Sequence, residues 1–254
     1  MIRFWALVRT NLRELLREKV FLVTAFIAVF LFLLSFLLGA LSFSEQKRMI
    51  GNFGFLGAFL SAAMMASYIG SYSLFKEIEK QTILLTLSRS VSRGLFLTSK
   101  FFGAWLFIGI QVFALCGLVG LLIVDTTTQA GNVLKIAVSI WLQAGYLFAM
   151  GMLGAQLVRP PLAFIWSLTA GLISFWLSDL QFFAQKSKVE IFEVLSNLAT
   201  YVFPRFDKSN WKSFHFVEVG ISFESASLMV LHLSFWIAVL LSLAILLFRR
   251  RDLV

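Results

Sequence analysis

Glu77, Glu79, Arg89 and Arg93 flank Thr82, Ile83, Leu84, Leu87, Ser88 and Val91 in a polar stretch that runs from Lys76 to about Lys100. Residues of these types at this spacing suit adhesion better than bond-making. Ile83, Leu84, Leu87 and Val91 supply an apolar face, and the carboxylates and guanidinium groups beside it can fix the register of a contact through charge. The stretch is amphipathic and lies between two long apolar runs, so it must sit at a membrane surface. There it offers a handle by which something outside the bilayer could move both runs. The bland alternative is a solvated loop with no partner.

Other chemistries are missing from the chain. Gly-Lys does not occur, so there is no phosphate-cradling P-loop. Gly-x-Ser-x-Gly and His-Glu-x-x-His are also absent. His215 and His232 stand far apart, with no cysteine or carboxylate pattern around them that reads as a metal site. Cys116 lies inside an apolar run and, as the one cysteine, cannot form an intrachain disulfide. Carboxylates are confined to the ends of apolar runs and to loops. Proton-driven transporters keep buried ionisable relays, so their absence argues against self-powered transport. We expect no catalytic, cofactor-binding or metal-binding residue in this chain. A membrane-embedded enzyme is the weakest functional class.

The elements that position the polar stretch follow from composition. Of 254 residues, 59% are hydrophobic and 14% charged, and the mean hydropathy is +0.88. A typical globular protein carries about 25% charged residues, so this is an all-α polytopic membrane protein of one domain, residues 1–254. Six windows have the roughly 20 apolar residues that a spanning helix needs. They are 20–41, 54–75, 101–124, 136–158, 162–180 and 226–248. Two prolines after Arg159 separate the fourth window from the fifth, because proline ends a helix readily; those two spans should be antiparallel neighbours.

Residues 1–19 read as an interfacial amphipathic helix. Phe4, Trp5, Val8, Leu12, Leu15 and Leu16 share one face, with Arg3, Arg9, Arg13 and Arg17 opposite. A plain extension of the first span is the alternative. These first residues lack the compact apolar core and small-residue site of a cleavable signal peptide. The net charge of +9 is read as positive-inside bias, and no nucleic-acid partner is expected. Of 22 Lys and Arg residues, 14 fall on the side that holds both termini, which places both termini in the cytoplasm.

Residues 181–225 form the largest outer loop. Val189, Phe192, Leu195, Leu198, Ala199 and Val202 predict a short helix on the outer surface, ended by Pro204. Tyr201, Phe203, Phe206, Trp211, Phe214 and Phe216 suit an interfacial aromatic belt; a substrate-binding lid is the sharper alternative. Ala63, Ala66, Ser67, Gly70 and Ser71 recur three or four apart in the second window. They form a flat stripe for close helix packing, or else line a path for substrate.

Taken in order, these elements resemble the permease subunit of a type-2 ATP-binding-cassette (ABC) exporter, in the group similar to the permease of nitrous-oxide-reductase maturation. The resemblance spans essentially the whole chain. It begins with the basic amphipathic helix. Its strongest part is Glu77-x-Glu79-Lys80-Gln81-Thr82, then Leu84-Leu85-x-Leu87-Ser88-Arg89-Ser90-Val91-Ser92-Arg93, then Lys100. Tyr201-x-Phe203-Pro204-x-Phe206-Asp207 and the terminal Phe248-Arg249-Arg250-Arg251-Asp252-Leu253 add to it. Gln81 stands where the family usually has Gly, and Ser90 where it usually has Pro. The resemblance implies that residues 77–93 form a cytoplasmic coupling helix that docks into an ATPase.

It further implies a non-catalytic subunit in the plasma membrane (the bacterial inner membrane). That subunit would work as a homodimer, or as a heterodimer with a second permease, in the lipid bilayer. It would sit on a dimer of cytoplasmic ABC ATPase subunits that bind the ATP and Mg. A membrane scaffold or assembly factor acting without an ATPase is the alternative function.

Overall fold

The computed structural model describes residues 2–16, 19–41, 45–79, 92–187 and 190–250, all built from helices and short connections. The first helix, α1 (Ile2–Leu16), turns Val8 inward against the bundle and leaves Trp5, Arg9 and Arg13 exposed. α2 (Lys19–Leu41) carries no charge after its first residue, and Leu22, Phe26, Phe30, Leu33 and Leu37 stand exposed along it. Exposed apolar side chains along a helix are what a surrounding lipid phase permits. α3 (Gln46–Glu79) and α4 (Arg93–Ile123) flank the polar stretch. α5 (Thr127–Leu157), α6 (Pro160–Ser187), α7 (Glu190–Val202), α8 (Phe214–Val219) and α9 (Phe223–Arg250) complete the chain.

Five described helices are long and apolar enough to cross a membrane: α3, α4, α5, α6 and α9. They run several residues past the apolar windows of the sequence. The intrahelical hydrogen bonds that satisfy the backbone in lipid continue to serve it in water.

α5 is the central helix and packs against α3, α4, α6 and α9. Its sequence explains why. Ala144, Gly145, Ala149, Gly151, Gly154 and Ala155 keep its surface low, so that neighbours approach closely. A Cβ at Gly145 would lie 2.5 Å from Trp105 Nε1, and one at Gly109 would lie 2.7 Å from Trp141 Nε1. Each indole thus stands over a glycine of the facing helix. The two rings stack 4.2 Å apart, and each N–H donates to the other residue's carbonyl, at 3.2 and 2.8 Å. This satisfies both indole donors inside an apolar bundle, where an unpaired N–H is costly.

The ends of the helices follow local chemistry. Thr126 and Gln129 form a capping box at the start of α5. α5 ends at Leu157 and α6 begins at Pro160, where proline costs no helical hydrogen bond. Gly220, with φ +95°, turns the chain between α8 and α9 in a conformation that favours glycine. Asn132 of α5 holds that turn. It donates to Val217 O and accepts from Ile221 N.

The segment 203–217 departs from the sequence expectation. Phe206, Ser209, Trp211, Phe214 and Val217 are buried in the bundle and do not lie in a surface belt, while Tyr201 stays exposed. Phe206 N donates to Ser174 O, and the Phe206 ring packs on Tyr146 and Phe175. Aromatic residues suit an interface and a core equally well, so composition could not separate the two. α7 exists as a helix, but its apolar residues Ile191, Phe192, Leu195 and Leu198 face outward, and Ser196 is its buried position.

Candidate functional site

Two regions of the bundle concentrate polar chemistry. The first lies where α3 and α4 bracket the polar stretch. Lys100 is 6% exposed, and its ammonium donates to Ser73 O at 3.0 Å and ion-pairs with Glu77. The aliphatic part of Lys100 belongs to an apolar helix face, so the charge needs these partners to be tolerated. Ser92 caps α4 by accepting from Leu95 N at 3.3 Å. Arg93 reaches across to α9 and donates to the carbonyls of Phe248 (3.4 Å) and Arg249 (3.1 Å). A guanidinium suits the unsatisfied carbonyls and negative dipole end of a helix C-terminus.

Glu79 is exposed beside Glu77. Thr82, Ile83, Leu84, Leu87, Ser88, Arg89 and Val91 lie outside the described residues. Of the sequence motif, the structure therefore brings Glu77 and Lys100 together and directs Arg93 separately to α9. Neighbouring α1 helps enclose a small cavity of about 40 Å³ here. Asn11, Glu14, Tyr68, Tyr72, Lys76 and Lys100 are among its lining residues.

Ala63, Ala66, Ser67, Gly70 and Ser71 are all buried. A Cβ at Gly70 would meet Phe148 O at 2.5 Å, and one at Gly151 would meet Ser71 Oγ at 3.1 Å. α3 and α5 touch backbone to backbone at this point. Ser67 Oγ and Ser167 Oγ share a hydrogen bond of 3.0 Å, and Ser167 also donates to Leu147 O. Ser71 Oγ is buried with no hydrogen-bond partner among the described residues.

The second polar region was not foreseen from the sequence. The inward-folded segment places Arg205, Asp207, Ser209 and Lys212 among helices whose own sequences are nearly free of charge. Ser209 O accepts from Ser139 (2.8 Å) and from Gln143 (3.1 Å), and Ser209 Oγ also bonds Gln143. Gln143 lies about 24 Å along α5 from its first residue, so this contact is made deep between the helices. Lys212 donates to Gln143 Oε1 at 2.9 Å, and its ammonium sits between the rings of Phe59 and Phe175, 4.2 and 4.3 Å from their centroids. Burial pushes the Lys212 ammonium down to about 7, while the two ring faces favour the charged form.

Burial raises the Asp207 carboxyl, but hydrogen bonds from Ser178 and Arg205 and the Arg205 charge outweigh it. The carboxyl is held below the usual carboxylate range. Arg205 bonds Asp207 at 3.1 Å and Ser178 at 3.0 Å. The sequence signal that could have found this region is the run of Ser and Gln on α5 and α6, Ser139, Gln143, Ser174 and Ser178. Polar side chains on apolar helices need partners from somewhere.

Among the described residues no three His, Cys, Asp or Glu side chains come together as a metal group. The arrangement is that of a helical membrane protein of the permease type, with two polar regions in an otherwise apolar, tightly packed bundle. The description "ABC-2 family transporter protein" matches residues 5–158, more than half of the chain, and the chain belongs to that family. No curated protein matches it.

Proposed function

We propose that this chain is the membrane-spanning permease subunit of an ATP-driven ABC transporter, an exporter similar to the nitrous-oxide-reductase-maturation group. ATP hydrolysis takes place in a separate cytoplasmic ATPase dimer that holds the ATP and Mg. The permease pairs with a second copy or with a related permease. Family membership over residues 5–158 is the observation that carries this reading. The match includes the whole of the polar stretch.

In this reading α2 is a sixth span, α1 lies in the headgroup plane, and both termini are cytoplasmic. α1 supports this by pairing exposed Arg9 and Arg13 with an inward Val8. Residues 77–93 are the coupling segment. Glu77 and Arg93, at its two ends, are tied to α4 and α9, so displacement of the segment reaches three helices. The stripe from Ala63 to Ser71 packs helices and does not line a path. The backbone contact at Gly70 supports that assignment.

Co-purification tests the reading. Leu87 is assigned to the apolar face of the segment, where a buried leucine contributes about 1.5–3 kcal/mol. Leu87→Asp puts an unpaired carboxylate into the same contact and costs more. The variant is expected to insert normally and lose the ATPase, whereas Arg89→Glu at the rim loses less. The purified chain alone turns over no ATP. Undiminished ATPase capture by Leu87→Asp, or specific ATP hydrolysis by the chain alone, overturns the assignment.

A further inference from the structure

A second cavity opens beside the inward-folded segment, on the opposite end of the bundle from the polar stretch. It holds about 410 Å³ and is lined by Arg205, Lys208, Ser209, Ser225, Leu228, Met229, His232 and Leu233. Its chemistry is divided. Arg205, Lys208 and His232 converge on one part, and no acidic side chain is among the lining residues. Asp207 compensates Arg205 from behind, through the ion pair already described. Lys208 is exposed and has no ion-pair or hydrogen-bond partner among the described residues. His232 Nε2 accepts from Arg205 N at 3.3 Å, which leaves its other ring nitrogen as the donor. The remaining wall is Leu228, Met229 and Leu233 of α9.

The position decides which anion fits. His232 lies about 14 Å along α9 from Phe223. Leu228, Leu231 and Phe235 flank it on α9 and are all more than half exposed. A soluble anion would satisfy the cations and leave this apolar surface bare. An amphiphile covers both, with its head on Arg205, Lys208 and His232 and its chain along the α9 surface. Arginine and lysine are the usual partners of phosphate, and apolar helix surface is the usual partner of an acyl chain.

From this division we infer that the cavity is a binding site for an anionic phospholipid of the surrounding leaflet, its phosphate held by Arg205, Lys208 and His232. The inference rests on the reading of α9 as a membrane span, and it needs no ATPase.

Native mass spectrometry of the full-length chain in neutral detergent tests it, with phosphatidylglycerol and phosphatidylcholine of the same chain length as probes. The wild type is expected to retain phosphatidylglycerol in preference to phosphatidylcholine. Lys208→Glu should weaken phosphatidylglycerol about tenfold, the worth of one charge-assisted hydrogen bond, and leave phosphatidylcholine unchanged. Lys208→Gln should fall between. Neither change removes a described contact, so both variants should elute like the wild type. Equal retention of the two lipids by the wild type overturns the inference, as does an unaltered preference in Lys208→Glu. Displacement of the lipid by an equal concentration of inorganic phosphate would assign the cavity to a soluble anion, and the lipid proposal would fall. Because the readout is lipid retained by the chain alone, its failure leaves the ATPase-coupled reading standing.

Discussion

Lys100 and Glu77 show how a single pair can hold two helices together at the membrane boundary. Both side chains are mostly buried, and the ammonium also donates to Ser73 O. Removing one member strands the other charge. Glu77→Gln should therefore destabilise the protein by roughly 3 kcal/mol, the lower end of the cost of an unpaired buried charge. The double variant Glu77→Gln with Lys100→Met should recover most of that loss. Thermal unfolding in detergent measures both. A single variant as stable as the wild type would show that the ammonium finds water or another acceptor.

The inward-folded segment 203–217 is the element that most changes the picture drawn from sequence. Its neighbours Ser209 and Asn210 make a sharp test, because Ser209 is buried and Asn210 exposed. Native Cys116 is buried too and should give little background. Asn210→Cys should react with a membrane-impermeant maleimide at least about tenfold faster than Ser209→Cys, since reaction at a buried position waits on local opening. Equal rates would place the segment on the surface.

Much of the bundle was legible from long apolar runs. The Arg159-Pro160-Pro161 break was legible too, because proline chemistry is local. What could not be read was contact across long separations. Nothing near Lys212 announces that Phe59 and Phe175 will enclose it, and nothing near Arg93 announces the carbonyls of Phe248 and Arg249. The aromatic cluster from Tyr201 to Phe216 was ambiguous in kind, since the same rings serve a headgroup belt and a core.

At the scale of the whole molecule, charge and hydropathy set orientation. The proposed arrangement has six spans and a cytoplasmic location for both termini and for the coupling segment. Reporter fusions after Arg251 and within 77–93 should give a cytoplasmic signal, and one at Ser209 an outer signal. A cytoplasmic signal from Ser209 would refute the six-span arrangement.

Arg93 has a mechanical consequence. It sits where α4 leaves the polar stretch, yet its guanidinium grips the far end of the chain's last long helix. At the other mouth of the stretch, Glu77 grips Lys100 on α4. The two ends of the stretch thus have separate attachment points. In the proposed coupling reading, a load on the stretch would reach α4 through Glu77 and Lys100 and α9 through Arg93. In that reading, loss of the Arg93 contact alone would leave Glu77 on Lys100 while uncoupling α9.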